Sequence, residues 1–254
     1  MKTMPTILVV GSGNVAWHLC NSFNLSKYKI RGVAARSLEK LQAFKSDFSI
    51  ETFSLNDFPE VDIVLLAVSD SSIPAVSEIF KNSNSTIAHT SGAFGIKELH
   101  VNIKNKGVFY PFQTFTKGNS NLDYSSIPTF LESNSEQVDE HLKYLSKAFG
   151  SNLYFIDTEA KKGLHIAGVI ANNFINKLLQ ESITLLEQNK IPQEVIWPLV
   201  EETLKKAKLT GPLKAQTGPA IRNDQTTINE HLEYLENEPN LQNVYLKLTQ
   251  LIQE

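Results

Sequence analysis

The chain has 254 residues, 24 Lys and Arg against 27 Asp and Glu, 41% hydrophobic residues and a formal net charge of -3. That is an ordinary globular balance, and with Lys205, Lys206 and Lys208 as the densest basic cluster it speaks against nucleic-acid binding through counterion release. One cysteine, Cys20, closes no internal disulfide and builds no Cys-based zinc site, so a cytoplasmic protein without a metal centre is expected.

Taken in chain order, MKTMPTILVV reads as a first strand, Thr6–Val10, rather than a signal: the apolar run is about six residues long and breaks at Gly11. Further strands are expected at Lys29–Ala34, Val61–Val68, Ser85–Thr90, Gly107–Tyr110, Ile127–Leu131 and Asn152–Ile156. VDIVLLAV is apolar at nearly every position, as in a central strand buried on both faces. Between the first two strands Val15, Ala16, Leu19, Cys20 and Phe23 recur at helical spacing, leaving Trp17 and His18 off the stripe. A second helix is expected to open at Ser37 as N-cap and to bury Leu38, Leu41 and Phe44.

Strand signals stop after residue 157. A long helical pattern over Thr158–Asn189 is followed by patterns near Gln193–Lys208, Asn223–Glu236 and Leu241–Ile252, separated by Pro and Gly pairs. No window reaches the roughly 20 apolar residues of a membrane span. The longest, Leu164 to Ile175, is interrupted by His165, Asn172 and Asn173. The alternation predicts an α/β fold, a Rossmann-type mostly parallel sheet over residues 1–157, followed by an all-helical domain over 158–254.

Chemistry enters at Gly11-Ser12-Gly13-Asn14-Val15-Ala16, a G-x-G-x-x-A run that follows a strand and opens a helix. Gly11 permits the tight turn, Gly13 lets the backbone approach a pyrophosphate, and small Ala16 permits close helix–strand packing, with the helix N-terminus facing the anion. The second strand ends Ala35-Arg36-Ser37, where a carboxylate would read a free ribose 2′-OH. A guanidinium and a hydroxyl suit a 2′-phosphate instead, so NADP is expected over NAD. Ala67, Val68 and Ser69 end the third expected strand and should pass close to the cofactor ribose, while Asp70 is read as a helix cap.

Candidates for a reacting substrate lie at strand ends and on the long helix. Ser91 or His89, in His89-Thr90-Ser91-Gly92, would stand near a nicotinamide, and Tyr110-Pro111-Phe112-Gln113 would wall the same cleft. His165 and Asn172, seven positions apart on one helix, share a face about 10 Å apart, with Asn173 beside them. Buried asparagines need partners, which favours a ligand or a neighbouring helix there. Arg222 is a candidate anchor for an anionic group, or the ion-pair partner of Asp224 at a helix start.

GSGNVA, AVSDSSI, HTSGAFG, YPFQTF, LHIAGVIANNF and GPLKAQTGPAIRND, in this order, resemble the bacterial Rossmann-like NADP oxidoreductase-like proteins with a helical C-terminal domain of unknown function. That group carries an N-terminal domain of the deazaflavin-dependent type. It is similar to pyrroline-5-carboxylate reductase and to the 6-phosphogluconate and β-hydroxyacid dehydrogenases. The resemblance implies a dinucleotide domain, a helical domain that commonly dimerises, and hydride transfer between NADP and a small carbonyl or imine compound or a deazaflavin. It further implies a catalytic lysine one helical turn before the paired asparagines, a position held here by Val169. His165 is then the proton donor in its place, with Asn172 and Ser91 orienting the substrate and Asn173 and Arg222 binding it. The other expectation is a non-catalytic NADP-binding sensor that works through the helical dimer.

Overall fold

The structure is a computed structural model describing residues 4–26, 28–150 and 152–254. The first three residues of the N-terminal run lie outside the described residues. The chain divides into two compact units, a first that ends at Asn172 and a second over Asn173–Glu254.

Among the described residues of the first unit eight strands form one sheet: β1 (Ile7–Val10), β2 (Ile30–Ala35), β3 (Thr52–Ser54), β4 (Ile63–Leu66), β5 (Thr86–His89), β6 (Lys106–Pro111), β7 (Thr129–Ser133) and β8 (Leu153–Phe155). Their order is β3-β2-β1-β4-β5-β6-β7-β8, parallel from β3 to β6, with β7 antiparallel to β6 and β8 parallel to β7. The expected mostly parallel Rossmann-type sheet is present. Strand β3 was not expected, because three residues show no alternation to read.

Period-two geometry sends successive side chains of β1 to opposite faces. Ile7 and Val9 join the core beneath α1 (Asn14–Leu25), α2 (Gln42–Phe48) and α4 (Glu136–Phe149). Leu8 and Val10 join the core on the other face, with Ile73 and Val76 of α3 (Ile73–Glu78) and with Phe80 and Leu99. Every residue of β1, β4 and β5 is buried, so the continuous apolar run of β4 reports burial on two faces.

Helix α1 corrects its expected amphipathic reading. Trp17 and His18, off the stripe, are buried all the same: Trp17 Nε1 donates to Asp47 Oδ2 at 2.9 Å, and His18 meets Tyr124 Oη and the Thr116 carbonyl, each at 2.9 Å. The segment from Thr116 to Tyr124 covers His18, and Asp47 and Phe48 of α2 cover Trp17, on the face that a lone surface helix would leave wet. The second helix also starts later than expected, with a 3₁₀ turn at Glu39–Leu41 before α2 and no side-chain cap.

Helix α5 (Thr158–Gly168) falls in the first unit, capped by Asp157, whose Oδ1 accepts from the Ala160 N–H at 2.8 Å. A π-helical segment, Val169–Phe174, follows. The second unit holds α6 (Ile175–Gln188), α7 (Trp197–Thr210), the short α8 (Pro212–Ala215), α9 (Gln225–Tyr234) and α10 (Pro239–Gln253). Among the described residues no helix is long and apolar enough to cross a membrane.

Candidate active site

The strand order reverses between β1 and β4, and open α/β sheets bind ligands at the carboxyl ends of strands at such a switch point. Val10 stands opposite Leu66 in register, which brings the two following turns together. The Gly11 N–H donates to the Ala34 carbonyl at 2.9 Å and the Ala67 N–H to the Val10 carbonyl at 2.7 Å. Gly11 has φ +139°, and a Cβ there would overlap the Ala67 carbonyl. Any other residue at this position forces the two turns apart.

Gly13 is different: a Cβ there would meet nothing within 4 Å. Gly13 starts α1 with no side-chain cap, and the first turn of α1 carries no acid. The resulting cradle is open, and its backbone donors suit an anion. Asn14 is partly committed elsewhere, its Oδ1 accepting from the Lys117 N–H at 3.3 Å, while Val15 packs against the core. A cleft of about 210 Å³ runs from here past Gly11, Ser12, Ala67, Val68 and Ser69 to Arg36, Ser37 and Lys40, and no carboxylate lines it.

Two residue roles differ from the sequence reading. Lys40 joins Arg36 and Ser37 in the cleft, one turn further on, and was not singled out. Ser69, not Asp70, precedes the 3₁₀ turn Asp70–Ser72, its hydroxyl 2.8 Å from Ser72 Oγ. Among the expected cofactor contacts, the structure gathers Gly11, Ser12, Gly13, Arg36, Ser37, Ala67, Val68 and Ser69 around one cleft.

A second cluster forms at the carboxyl ends of β5 and β6. His165 Nδ1 lies 3.3 Å from Tyr110 Oη, and Gly92 fills the corner between them. A Cβ on Gly92 would stand 2.5 Å from Tyr110 Cζ and 2.6 Å from His165 Nδ1. Burial raises the Tyr110 phenol above its ordinary range, and the negative charge of Asp70 acts in the same direction. Phe112 packs on Gly168 in the same region, where a Cβ would be 2.6 Å from the ring. Ser91 is buried, and its Oγ accepts from the N–H groups of Ala93 and Phe94, each at 3.1 Å, so its lone pairs shape the turn. His89 is fully buried, with Nε2 3.0 Å from the Gly95 carbonyl, and burial lowers its pKa to about 4.

Behind this loop stands a charged pair that sequence reasoning passed over. Lys161 is fully buried, donates to Glu132 Oε2 at 3.0 Å and also donates to the Phe94 carbonyl. Glu132 Oε1 accepts from Thr158 Oγ1 at 2.5 Å and from the Ile96 N–H at 3.4 Å. Burial lowers the Lys161 pKa against the opposing pull of Glu132. The available signal was a lysine four positions before His165 on a helix, with one acidic residue, Glu132, directly after the apolar pair Phe130-Leu131.

The π segment revises the placement of Asn172. The 100° spacing that put it on one face with His165 holds only to Gly168, and wider turns begin at Val169. Asn172 and Asn173 are exposed. Asn173 and Arg222 belong to the second unit. There Asp224 caps α9, accepting from the Thr227 N–H at 3.2 Å, and Arg222 is exposed ahead of it.

Residues 127–252 match the family model "Domain of unknown function (DUF2520)". The chain is similar to the crystal structure of the protein named "putative NADP oxidoreductase BF3122" from Bacteroides fragilis, at 29% identity, 98% coverage of both chains and a TM-score of 0.91. It shares the fold of protein TM1727 from Thermotoga maritima, at 20% identity, with 97% of this chain and 96% of that one covered and a TM-score of 0.73. It also shares the fold of a pyrroline-5-carboxylate reductase from Coxiella burnetii, at 18% identity, with 98% and 96% covered and a TM-score of 0.60. No curated protein matches the sequence.

Proposed function

For a chain that carries a DUF2520 domain over residues 127–252, we propose an NADP(H)-dependent oxidoreductase that acts on a small carbonyl or imine compound. The observation that carries this reading is the cleft at the β1–β4 switch point. It joins an open glycine cradle at an uncapped helix start to two cations and no carboxylate. The name of the Bacteroides fragilis relative supports a nicotinamide cofactor.

In this reading Ser12, Gly13, Asn14 and Val15 hold the pyrophosphate through backbone N–H groups, and Arg36, Ser37 and Lys40 hold the 2′-phosphate. Ala67, Val68 and Ser69 pass beside the ribose. The bound cofactor supplies or accepts a hydride, and the chain contributes orientation and protons. His165, Ser91 and Asn172, all of the first unit, are the residues proposed to serve the substrate. The exposed apolar side chains of the second unit, among them Trp197, Leu199, Leu209 and Leu251, support a homodimer.

The test is NADPH oxidation, followed by absorbance, across a panel of imines, keto acids and an oxidised deazaflavin. Turnover with one class that falls at least tenfold in His165→Ala, with NADPH affinity kept, is the expected result. A second reading, an NADP-binding sensor without turnover, is favoured by Val169 at the position where the resemblance expects a lysine. Tight NADPH binding with no oxidation by any member of the panel selects it.

A further inference from the structure

We propose that Tyr110 is the group that protonates the substrate, with His165 behind it as the donor that restores its proton. This rests on the oxidoreductase reading and departs from His165 as the direct acid. The carrying observation is the corner at Gly92, where the Tyr110 hydroxyl and His165 Nδ1 stand 3.3 Å apart and no side chain intervenes. Had Gly92 any Cβ, one of the two rings would have to move.

Both partners are held from behind. Tyr110 sits in β6, paired with Phe130 of β7, its ring edge-on to Phe112 at 6.0 Å and to His165 at 6.2 Å. His165 lies one helical turn after Lys161, whose ammonium is tied to Glu132 and to the carbonyl of Phe94 in the Gly92 loop. One buried cation therefore fixes both the helix that carries the imidazole and the loop that makes room for it. A buried ion pair is a weak source of net stability, which leaves positioning as its use here.

The proton steps balance. Hydride arrives with its electron pair at the carbonyl or imine carbon, the π electrons move onto oxygen or nitrogen, and that atom takes the Tyr110 Oη proton. The phenolate so formed is held by the His165 Nδ1–H and takes that proton as Nε2 takes one from water, so the ring stays neutral, and exchange with water returns it to the Nδ1–H tautomer before the next turnover. NADPH is the reductant, and water the final proton source. A phenol is protonated at neutral pH, and burial and Asp70 push its pKa higher still, so Tyr110 enters the cycle in the donor form and the phenolate it leaves needs the His165 N–H to hold it. The arrangement requires one resting polarity: Nδ1–H of neutral His165 donates to Tyr110 Oη, leaving the phenolic hydrogen for the substrate.

The polarity is measured in the full-length, cofactor-free protein by ¹⁵N NMR of labelled histidines above pH 8. The His165 signals are assigned by their loss in His165→Gln. The expected result is a protonated Nδ1 and an unprotonated Nε2 in the wild type, changing in Tyr110→Phe toward the opposite tautomer. A wild-type His165 protonated at Nε2, with Nδ1 accepting from Tyr110, overturns the relay. An NADPH titration of the same sample separates the two levels. Binding with the wrong tautomer removes this inference alone, whereas absence of binding removes the oxidoreductase reading whatever the tautomer. With a substrate in hand, Tyr110→Phe is expected to lower kcat at least a hundredfold while leaving the NADPH Kd within twofold, and unchanged kcat also overturns the proposal.

Discussion

The two units differ in how much of their own apolar surface they bury. Strands β1, β4 and β5 are enclosed on both faces by helices and loops, and the large buried side chains, from Phe23 to Phe149, belong to the first unit. In the second unit the buried apolar residues among those described are Ala220, Ile228 and Leu235, while Trp197, Leu199, Leu204, Leu209, Leu213 and Leu251 are exposed. A site that depends on sub-ångström placement, such as the Gly11–Ala67 turn pair or the Gly92 corner, sits where packing is complete. The helices with open apolar faces carry the features that suit assembly.

The sharpest way to break this contrast is to remove the buried cation of the first unit. Lys161→Met leaves the buried Glu132 without its cation, with Thr158 and Ile96 as its remaining donors among the described residues, and the expected loss is about 3–5 kcal/mol in urea unfolding. Lys161→Met combined with Glu132→Gln recovers part of it. A loss below about 1 kcal/mol means that the loop and α5 are held by other contacts.

The next effect is one of pH. His89 titrates near 6.5 when unfolded and at about 4 in the fold, chiefly because burial disfavours its charge. The unfolded chain therefore binds the proton first. Stability from this residue is complete above about pH 6.5 and is lost as pH falls toward 4, by about 3 kcal/mol in total. Urea unfolding between pH 7 and 4 should flatten by that amount in His89→Gln. A parallel pair of curves places the acid sensitivity elsewhere.

Arg36→Asp sharpens the cofactor side of the comparison. Removing a charged donor and adding a like charge to the 2′-phosphate should weaken NADPH by about 1.5–3 kcal/mol, roughly ten- to 150-fold, with NADH changed little. Equal weakening of both removes Arg36 from 2′-phosphate recognition. The smallest signal is expected from the second unit. Sedimentation at micromolar concentration should give a dimer, with a thermal midpoint that rises with protein concentration. A monomer with a concentration-independent midpoint dissociates the exposed apolar faces from self-assembly.

What the sequence disclosed follows from which signals are local. The strand–glycine–helix run at Gly11 is contiguous, so turn, cradle and helix start were all legible, as was the absence of a carboxylate after Ala35. Strand β3 is too short to show a period, and Trp17 and His18 are buried by segments about thirty and about a hundred residues away, which no local pattern records. The Lys161–Glu132 pair and the Tyr110–His165 corner are likewise long-range. Each residue was visible, but only the sheet register and the seating of α5 bring them together. The α-helical phase of Asn172 failed for a different reason, since a change of helix type at Val169 leaves no mark in hydrophobic spacing.

The central claim is that the β1–β4 cleft holds NADP(H), and fluorescence titration of the full chain with NADPH and with NADH tests it most directly. The proposed function predicts saturable NADPH binding at least tenfold tighter than NADH, because Arg36, Ser37 and Lys40 line a cleft without a carboxylate and suit the 2′-phosphate that distinguishes the two. Equal affinity, or no binding of either nucleotide, contradicts it.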